Sequence, residues 1–384
     1  MIAIINAELV MRDHLIPDGY ILIEDGVIKD YGEMFKAGSF EGCEIIDAKG
    51  AYVGPGLVDI HVHAGGGCRF RTDPIYAAQF MLREGVTTIL PTLSFSMDRE
   101  SLLNAIDLVK QAKTQPGGET ISGIYMEGPY LNPKYGTGRD KISFKGAAKR
   151  EEYEEIIRRC GDDVRVWAVA PERENIEQFM QDAKAANPNV VFAVAHSEAT
   201  PQQVEDLMHY GLCIGTHHTN ATGTIINYPE CRGVCVDEAV NYNREIFAEL
   251  ICDRRGIHVD PYMLRLVRRI KGDDRIILIS DSSTANGTKP DHGYEQVDDL
   301  CYDDKGDIGS QITLRGACRN MMIHTGASIV DVFNYASRIP ARVTGFKDRG
   351  EIKRGFRADL VIVDEKINLK SVILGGKVCT WSEK

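Results

Sequence analysis

Short apolar runs alternate with amphipathic helical patterns through the middle of the chain, from about residue 54 to about residue 344. The runs are almost continuously hydrophobic, as expected of strands in a parallel sheet that is covered on both faces. Pro201 and Pro261 stand where the first turn of a helix would begin, a position that suits proline. The predicted strands are LVDIHVH, TTILPTLS, ISGIYMEGP, VRVWAVAPE, VVFAVAHSE, LCIGTHHTN, FAELICD and RIILISDSS. The predicted helices include DPIYAAQFMLREG, DRESLLNAIDLVKQAK, KREEYEEIIRRCG, ENIEQFMQDAKAAN, TPQQVEDLMHYG and DPYMLRLVRRIKG.

Strand–helix units repeated in this way predict an α/β protein with a (β/α)8 barrel of the TIM type. A doubly wound open sheet is the alternative. It is weakened because no GxGxxG motif follows the first predicted strand.

The two ends of the chain have a different pattern. Residues 1–53 alternate apolar and polar positions and are punctuated by glycine and aspartate, which is typical of strands. Residues 345–384 resemble that segment. We therefore expect a small β-sandwich domain formed by residues 1–53 together with 345–384, and a catalytic barrel of residues 54–344 between them.

Composition then narrows the classes of function. The 384-residue chain carries a formal net charge of -11, which argues against nucleic acid or an anionic membrane as its main partner. No apolar run reaches the ~18 residues needed to span a membrane. The N-terminal residues lack the basic segment and cleavage site of a signal peptide, and the ten cysteines form no CxxC pair. We therefore expect a cytoplasmic protein with reduced thiols.

Candidate chemistry begins where the first predicted barrel strand ends. His61 and His63 stand one residue apart, and residues i and i+2 of a strand point to the same face. Two imidazoles side by side form half of a metal site, whereas a lone His-x-His can equally be a hydrogen-bonded pair in the core. The glycine-rich residues 64–67 follow, and we expect them to let the backbone approach whatever the histidines hold.

Polar side chains end other predicted strands as well. In a barrel all these ends lie on one face, so residues far apart in the sequence are expected to meet there. Histidines and carboxylates together predict a divalent-metal site, with zinc as the first choice and iron, manganese or cobalt as alternatives. Each member alone has a structural alternative, such as a hydrogen-bonded histidine or an aspartate that caps the next helix. The set is His61, His63, Glu127, His196, His217 and Asp281.

Seven sequence motifs are spread over nearly the whole chain. They are GPGLVDIHVHAGGG, MEGPYLNP, VAHSEAT, GTHHTNATG, GIHVDP, ISDSSTANG and RGEIKRGFRADLVIVD. In this order they resemble the amidohydrolase superfamily and, within it, the N-acetylglucosamine-6-phosphate deacetylases. MEGPYLNP followed by AHSEAT is highly specific, whereas His-x-His is common to many amidohydrolases. The resemblance implies a metal-dependent hydrolase that converts N-acetyl-D-glucosamine 6-phosphate to D-glucosamine 6-phosphate and acetate in amino-sugar catabolism.

The resemblance also implies which residues bind metal. Glu127, His196 and His217 match the principal metal ligands of the family. His61 and His63 match a pair that some members use for a second metal and others lack. The resemblance therefore implies one or two divalent ions per chain, and the intact pair favours two, with Glu127 placed to serve both.

Other positions match residues that act on the substrate. Asp281 matches the catalytic aspartate, and His258 matches a histidine that contacts the sugar. Asn220 and Ala221 match a turn whose backbone amides hold the phosphate. Relatives are often dimers in which a partner residue reaches the phosphate, so the resemblance implies a homodimer that binds a small amino-sugar phosphate.

Some segments depart from the family pattern. Residues 217–222 read His-His-Thr-Asn-Ala-Thr, where the family has His-Leu-Tyr/Phe-Asn-Ala-Met, and the loop KYGTGRDKIS, expected to touch the sugar, also differs. Arg232 is interpreted as a replacement for the family's phosphate-binding arginine, with a solvated loop charge as the alternative.

These departures affect the expected identity of the sugar more than the expected reaction. Deacetylation of another N-acetyl-hexosamine 6-phosphate, such as the galacto epimer, is an alternative, as is hydrolysis of another cyclic-amide or N-acyl compound. A non-catalytic scaffold on the same fold is a further alternative, which the six retained strand-end residues disfavour.

Overall fold

The computed structural model describes residues 1–136, 141–226, 228–283, 295–302 and 308–381. The chain begins with antiparallel and parallel pairings among strands that lie outside the barrel. These strands are β1 (Ile2–Val10), β2 (Leu15–Glu24), β3 (Val27–Glu33), β4 (Glu44–Asp47) and β5 (Tyr52–Pro55), with a 3-10 turn at Met34–Lys36.

The middle of the chain forms a sheet of eight parallel strands joined mostly by helices. Its strands are β6 (Leu57–Val62), β9 (Val86–Ser94), β10 (Ile124–Glu127), β11 (Val164–Val169), β12 (Val191–Val194), β13 (Leu212–Gly215), β14 (Phe247–Ile251) and β15 (Ile276–Ile279). A short hairpin, β7 (Ala64–Gly65) and β8 (Cys68–Arg69), follows the first of them. Each of the eight predicted strands overlaps one of these, in the predicted order, so the predicted barrel is confirmed.

Helices cover the outside of this sheet, and the quoted helical patterns are confirmed. They are α1 (Pro74–Arg83), α2 (Arg99–Lys113), α3 (Arg150–Cys160), α4 (Ile176–Ala186), α5 (Pro201–Asp206), α6 (Val236–Tyr242), α7 (Pro261–Lys271), α8 (Leu314–Thr325), α9 (Ile329–Phe333) and α10 (Ile339–Val343). A π-helical segment at Asn334–Arg338 joins the last two, and 3-10 turns lie at Gly161–Asp163 and Met208–Tyr210. A small sheet, β16 (Glu295–Val297), β17 (Leu300–Tyr302) and β18 (Ile308–Ser310), precedes α8.

Side-chain caps mark the residues at which several of these helices begin. Asp73, Asp98, Thr200, Asp260 and Thr313 each accept a hydrogen bond from a backbone N–H in the first turn of the helix that follows. These N–H groups have no partner within the helix, so each cap stabilises the helix start by about 1 kcal/mol.

The barrel sheet closes where its last strand meets its first. The backbone N–H of Asp281 donates to His61 O at 2.9 Å, and that of His63 donates to Ser282 O at 3.0 Å. The first and last predicted ligand positions are therefore tied to each other directly by main-chain hydrogen bonds.

The last strands, β19 (Leu360–Val363), β20 (Leu369–Leu374) and β21 (Lys377–Val378), join the first five in one sheet. Its order is β21-β20-β19-β5-β1-β2-β3, with β4 beside β1. The sheet curls, since Ile28 N–H donates to Phe356 O at 2.8 Å, and it encloses a core separate from that of the barrel. The terminal sheet domain is thus confirmed. Its division from the barrel at residues 53/54 and 344/345 stays a prediction.

Within the ranges that the structure describes, no helix is both long enough and apolar enough to cross a membrane.

Candidate active site

The strand ends of the barrel bring the six predicted ligand and catalytic residues to one face. His61 and Glu127 lie on β6 and β10, and His63, His196, His217 and Asp281 lie one or two residues beyond the ends of β6, β12, β13 and β15. Three of them have left-handed backbone conformations, with φ of 43° at His196, 30° at His217 and 47° at Asp281. Such strain in residues that are not glycine clusters at functional sites, because the surrounding structure must hold it in place.

One group of side chains surrounds a single point at this face. Glu127 Oε1 lies 2.9 Å from His196 Nε2 and 3.6 Å from His217 Nε2, and the two imidazole nitrogens are 3.1 Å apart. Ligands at ~2.0–2.1 Å from a tetrahedral ion lie about 3.3 Å from each other. The spacing of these three atoms therefore fits one divalent ion.

A second group lies beside the first and shares Glu127. His63 Nε2 is 3.5 Å from Glu127 Oε2 and 3.2 Å from Asp281 Oδ1. His61 Nε2 is 3.8 Å from Glu127 Oε1 and 3.6 Å from Asp281 Oδ1. Glu127 Oε1 thus faces His196, His217 and His61, whereas Oε2 faces His63. The carboxylate lies between the two histidine pairs, where it could serve an ion on either side.

The hydrogen-bond partners of two histidines also suit a metal. His217 Nδ1 faces Asn220 O at 3.1 Å, and His61 Nδ1 faces Glu249 Oε2 at 3.2 Å. Both partners are acceptors, so each Nδ1 carries a proton, and Nε2 is the nitrogen that each ring would present to a bound cation. His61 Nε2 is buried and has no hydrogen-bond partner in the described residues. A buried lone pair with no donor is what a metal cation would satisfy.

Charge leads to the same conclusion. Burial by itself lowers the pKa of His61, but the carboxylates of Asp281, Glu249 and Glu127 outweigh it and raise that pKa to about 10. Burial by itself raises the pKa of Glu127, but hydrogen bonds to His196 and His217 hold it well below its ordinary value. A buried cluster of carboxylates requires compensating positive charge. The side chains present are imidazoles and carboxylates, and these ligands suit a divalent cation in that role.

Asp281 has the polarity and position expected of a group that meets substrate. Burial by itself raises its pKa, but the His61 and His63 rings outweigh that effect and lower the pKa to about 2. Its side chain keeps 20% exposure, whereas that of His61 is fully buried. It therefore lies at the open side of the cluster and is ionised at neutral pH.

The predicted substrate residues Asn220 and Ala221 follow His217 in one turn, and His258 lies beside that turn. Asn220 Nδ2 donates to His258 O at 3.4 Å, so the turn after His217 and the loop that carries His258 are joined. The turn contains left-handed residues, with φ of 69° at Thr219 and 55° at Ala221. These conformations hold the turn in a sharply bent form beside the metal ligands.

Arg232 lies elsewhere in the single chain. Its side chain is 83% exposed and pairs with Glu238, Nη2 to Oε1, at 3.5 Å. Within the described residues no contact joins it to the metal ligands or to Asn220. The alternative of a solvated loop charge describes the surroundings of Arg232 in this chain.

Two of the glycine-rich residues after the first strand pack closely against a helix. A Cβ on Gly65 would lie 2.6 Å from Ala77 O, and one on Gly66 would lie 2.8 Å from the Phe80 ring, both on α1. The lack of a Cβ at these two positions therefore permits close packing against a helix, and the expectation that this run approaches the histidines' ligand stays a prediction.

Part of the predicted sugar loop touches the cluster. A Cβ on Gly136, where φ is +89°, would lie 2.6 Å from the His196 ring. The rest of this loop, residues 137–140, and the end of the motif ISDSSTANG, residues 284–287, lie outside the described residues.

Sequence reasoning missed three buried residues beneath the cluster. Glu249, on β14, contacts His61, and Tyr125 OH bonds Thr216 Oγ1 at 2.8 Å while lying 3.5 Å from Glu249 Oε2. The signal was the single carboxylate inside the apolar run FAELI, since an unpaired buried glutamate is costly.

Comparisons with known proteins agree with this geometry. The family model described as "Amidohydrolase family" matches residues 52–379. The chain is 26% identical to the N-acetylglucosamine-6-phosphate deacetylase of Bacillus subtilis, covering 98% of this chain and 96% of the relative. It is 27% identical to the N-acetylgalactosamine-6-phosphate deacetylase of Escherichia coli O157:H7, covering 96% and 100%.

A solved structure shares the whole architecture. It is a mutant of the N-acetyl-D-glucosamine-6-phosphate deacetylase of Mycobacterium smegmatis in complex with N-acetyl-D-glucosamine 6-phosphate. The identity is 25%, the TM-score is 0.84, and the match covers 98% of each chain.

Proposed function

This chain belongs to the amidohydrolase family, and from that membership we propose that it hydrolyses the N-acetyl amide of N-acetyl-D-glucosamine 6-phosphate, releasing acetate and D-glucosamine 6-phosphate. The observation that carries the proposal is the pair of ligand groups sharing Glu127 at the barrel mouth. The names of the full-length relatives supply the substrate class, an amino-sugar phosphate.

Two divalent ions fit the proposal. His196 and His217 would hold one, His61 and His63 would hold the other, and Glu127 would bridge them. Zinc is the proposed metal, because imidazole and carboxylate ligands at these spacings suit it. Bound divalent ions polarise an amide carbonyl and lower the pKa of water to about 7.

Asp281 is the proposed proton carrier. Its Oδ1 would accept a proton from the attacking water and return it to the amide nitrogen as the C–N bond breaks. The return step is needed because an amine leaves poorly unless it is protonated. Its position at the open side of the cluster supports this role, as does its contact with both His61 and His63.

The substrate would be held at its two ends. His258 is the proposed sugar contact, and the backbone amides of Asn220 and Ala221 are proposed to bind the phosphate. Arg232, exposed in one protomer, is proposed to reach the phosphate of a partner subunit in a homodimer. Ile226 and Tyr228, 64% and 73% exposed, precede it on the same segment and supply apolar surface for such an interface.

A cytoplasmic location completes the proposal. It is supported by the cysteines, all ten of which are free thiols, as is usual in a reducing compartment.

The central test is a deacetylation assay with metal analysis of the same sample. The substrates are N-acetylglucosamine 6-phosphate, its galacto epimer and both unphosphorylated sugars. We expect the phosphorylated gluco sugar to be preferred, and loss of the phosphate to reduce kcat/KM by about 10- to 100-fold, the effect of losing a charge-assisted contact.

Other outcomes would contradict parts of this proposal. Preference for the galacto epimer would favour the activity of the E. coli relative, and equal turnover without phosphate would remove the phosphate site. A metal-loaded protein that deacetylates none of the four sugars would overturn the proposed reaction.

The role of Arg232 has its own test. In a mixed dimer of Asp281→Asn and Arg232→Ala chains, activity returns only if the arginine acts across the interface, because one site then has both residues intact. Absence of recovery, with each homodimer inactive, would place the arginine in its own chain's site.

A further inference from the structure

Glu249 is a buried carboxylate that neither ligand group includes. It lies in the middle of β14, its side chain is fully buried, and its Oε2 is 3.2 Å from His61 Nδ1. We propose that Glu249 is a positioning residue that fixes the His61 ring and thereby determines the affinity of the ion on the His61–His63 side. This inference rests on the proposed metal-dependent function and adds a residue to it.

The contact determines which nitrogen of His61 faces the cluster. Glu249 Oε2 is placed to accept a hydrogen bond from Nδ1, which leaves Nε2 as the ring nitrogen that would bind an ion. That nitrogen is the one that lies 3.6 Å from Asp281 Oδ1 and 3.8 Å from Glu127 Oε1. Without an acceptor at Nδ1, the proton would be free to occupy either nitrogen and the ring free to rotate.

Glu249 is itself held on one side by a short chain of hydroxyl groups. Tyr125 OH lies 3.5 Å from Glu249 Oε2 and bonds Thr216 Oγ1 at 2.8 Å. The Tyr125 ring also packs on the His61 ring, with centroids 4.6 Å apart and planes tilted by 31°. The imidazole is therefore held at its edge by the carboxylate and over its face by the phenol.

The two proposed ion positions differ in the group that accepts a hydrogen bond from Nδ1 of the histidine. His217 on the other side uses the same arrangement, but its Nδ1 donates to a neutral backbone carbonyl, Asn220 O, at 3.1 Å. A carboxylate raises the basicity of a histidine ligand more than a carbonyl does, and losing such a partner typically weakens metal affinity by about 10- to 100-fold. Changes at Glu249 should therefore act on one ion and spare the other.

The test measures metal affinity directly and needs no substrate. Glu249→Leu and Glu249→Gln are compared with the wild-type protein by chelator competition with zinc, following both ions per chain. ¹⁵N NMR of the histidine rings, with His61 assigned through His61→Ala, reports the tautomer.

We expect Glu249→Leu to weaken one ion by about 10- to 100-fold and to leave the other within about twofold. Glu249→Gln retains an acceptor oxygen without the charge, and a smaller loss is expected. The matched control is Glu198→Gln, a carboxylate two residues after His196 that pairs with Lys134. It removes the same charge near the mouth and should change neither affinity.

Unchanged affinity for both ions, or equal loss of both, would overturn the inference. If Glu249→Leu does not fold, the Gln variant decides, because unchanged affinity for both ions in that variant would also reject the role. The two proposals can fail separately. If the wild-type protein deacetylates none of the sugars but Glu249→Leu still loses affinity for one ion only, the proposed substrate is rejected and Glu249 remains the positioning residue.

Discussion

Asp253 offers a sharp test of how the loop that carries His258 is built. It lies two residues after β14, is fully buried, and accepts hydrogen bonds from the backbone N–H groups of Ile257 at 3.0 Å and His258 at 2.8 Å. Its Oδ2 also lies 3.3 Å from His258 Nδ1. Replacing it with asparagine keeps the size but puts an NH2 group where only an acceptor fits.

The magnitude follows from its pKa. Burial by itself raises the pKa of Asp253, but the hydrogen bonds from His258 and the backbone outweigh it and lower the pKa from 3.8 to about 2. At ~1.4 kcal/mol per pKa unit, the ionised carboxyl stabilises the fold by about 2 kcal/mol. Because the folded-state pKa is the lower one, this contribution is complete above pH ~4 and is lost as the pH falls towards 2.

The assay is urea unfolding of wild-type protein and Asp253→Asn at several pH values from 7 down to 3. We expect the variant to be less stable by about 2–3 kcal/mol at pH 7 and the difference to shrink below pH ~4. Groups that do not interact with Asp253 titrate alike in both proteins and therefore cancel in the difference. The KM for the sugar phosphate should also rise, because this loop places His258.

A nearby aspartate supplies the control. Asp260 caps α7 by accepting from Tyr262 N–H at 2.7 Å, and asparagine caps equally well, so Asp260→Asn should be nearly neutral. Wild-type stability in Asp253→Asn at pH 7, or a difference that stays constant down to pH 3, would refute the reasoning.

Three further predictions concern the cluster. Asp281→Asn should keep the fold and most of the metal while lowering kcat by about 10²–10⁴; near-normal turnover of the metal-loaded variant would return Asp281 to a capping role. His61→Ala combined with His63→Ala should reduce the metal content from two ions per chain to one, and an unchanged ratio by elemental analysis would exclude the second site. Gly136→Ala should lower metal content and activity, because the added Cβ would meet the His196 ring. The control is Gly146→Ala in the same loop, which has open space around the added Cβ and should change neither. Equal metal content and activity in the two variants would show that the loop moves aside.

Much of the fold was readable from local pattern. The helical segments have an amphipathic helical period, and the short, continuous apolar runs that alternate with them favour strands of a covered parallel sheet. Helix caps such as Asp73 and Thr200 mark where the helices begin. The two β-rich ends also predicted a joint sheet. Its path could not be predicted, because which strands pair depends on contacts between residues more than 300 positions apart, as in β5 with β19.

The residues at the barrel mouth were also predicted from the sequence only in part. The sequence determined that His61, Glu127 and Asp281 stand at strand ends, and a parallel barrel brings all such ends to one face whatever their separation along the chain. The roles of these residues stay predictions that the proposed experiments address.

Tertiary structure alone decided the rest. Three contacts depend on how strands and helices meet across the barrel: Glu249 faces His61, Arg232 is exposed to solvent, and Gly65 packs on α1. No local pattern encodes these contacts, because the direction of a side chain depends on strand register, tilt and loop path together. Sequence therefore determined which residues gather at the mouth, whereas the folded barrel determined which atoms of those residues face one another.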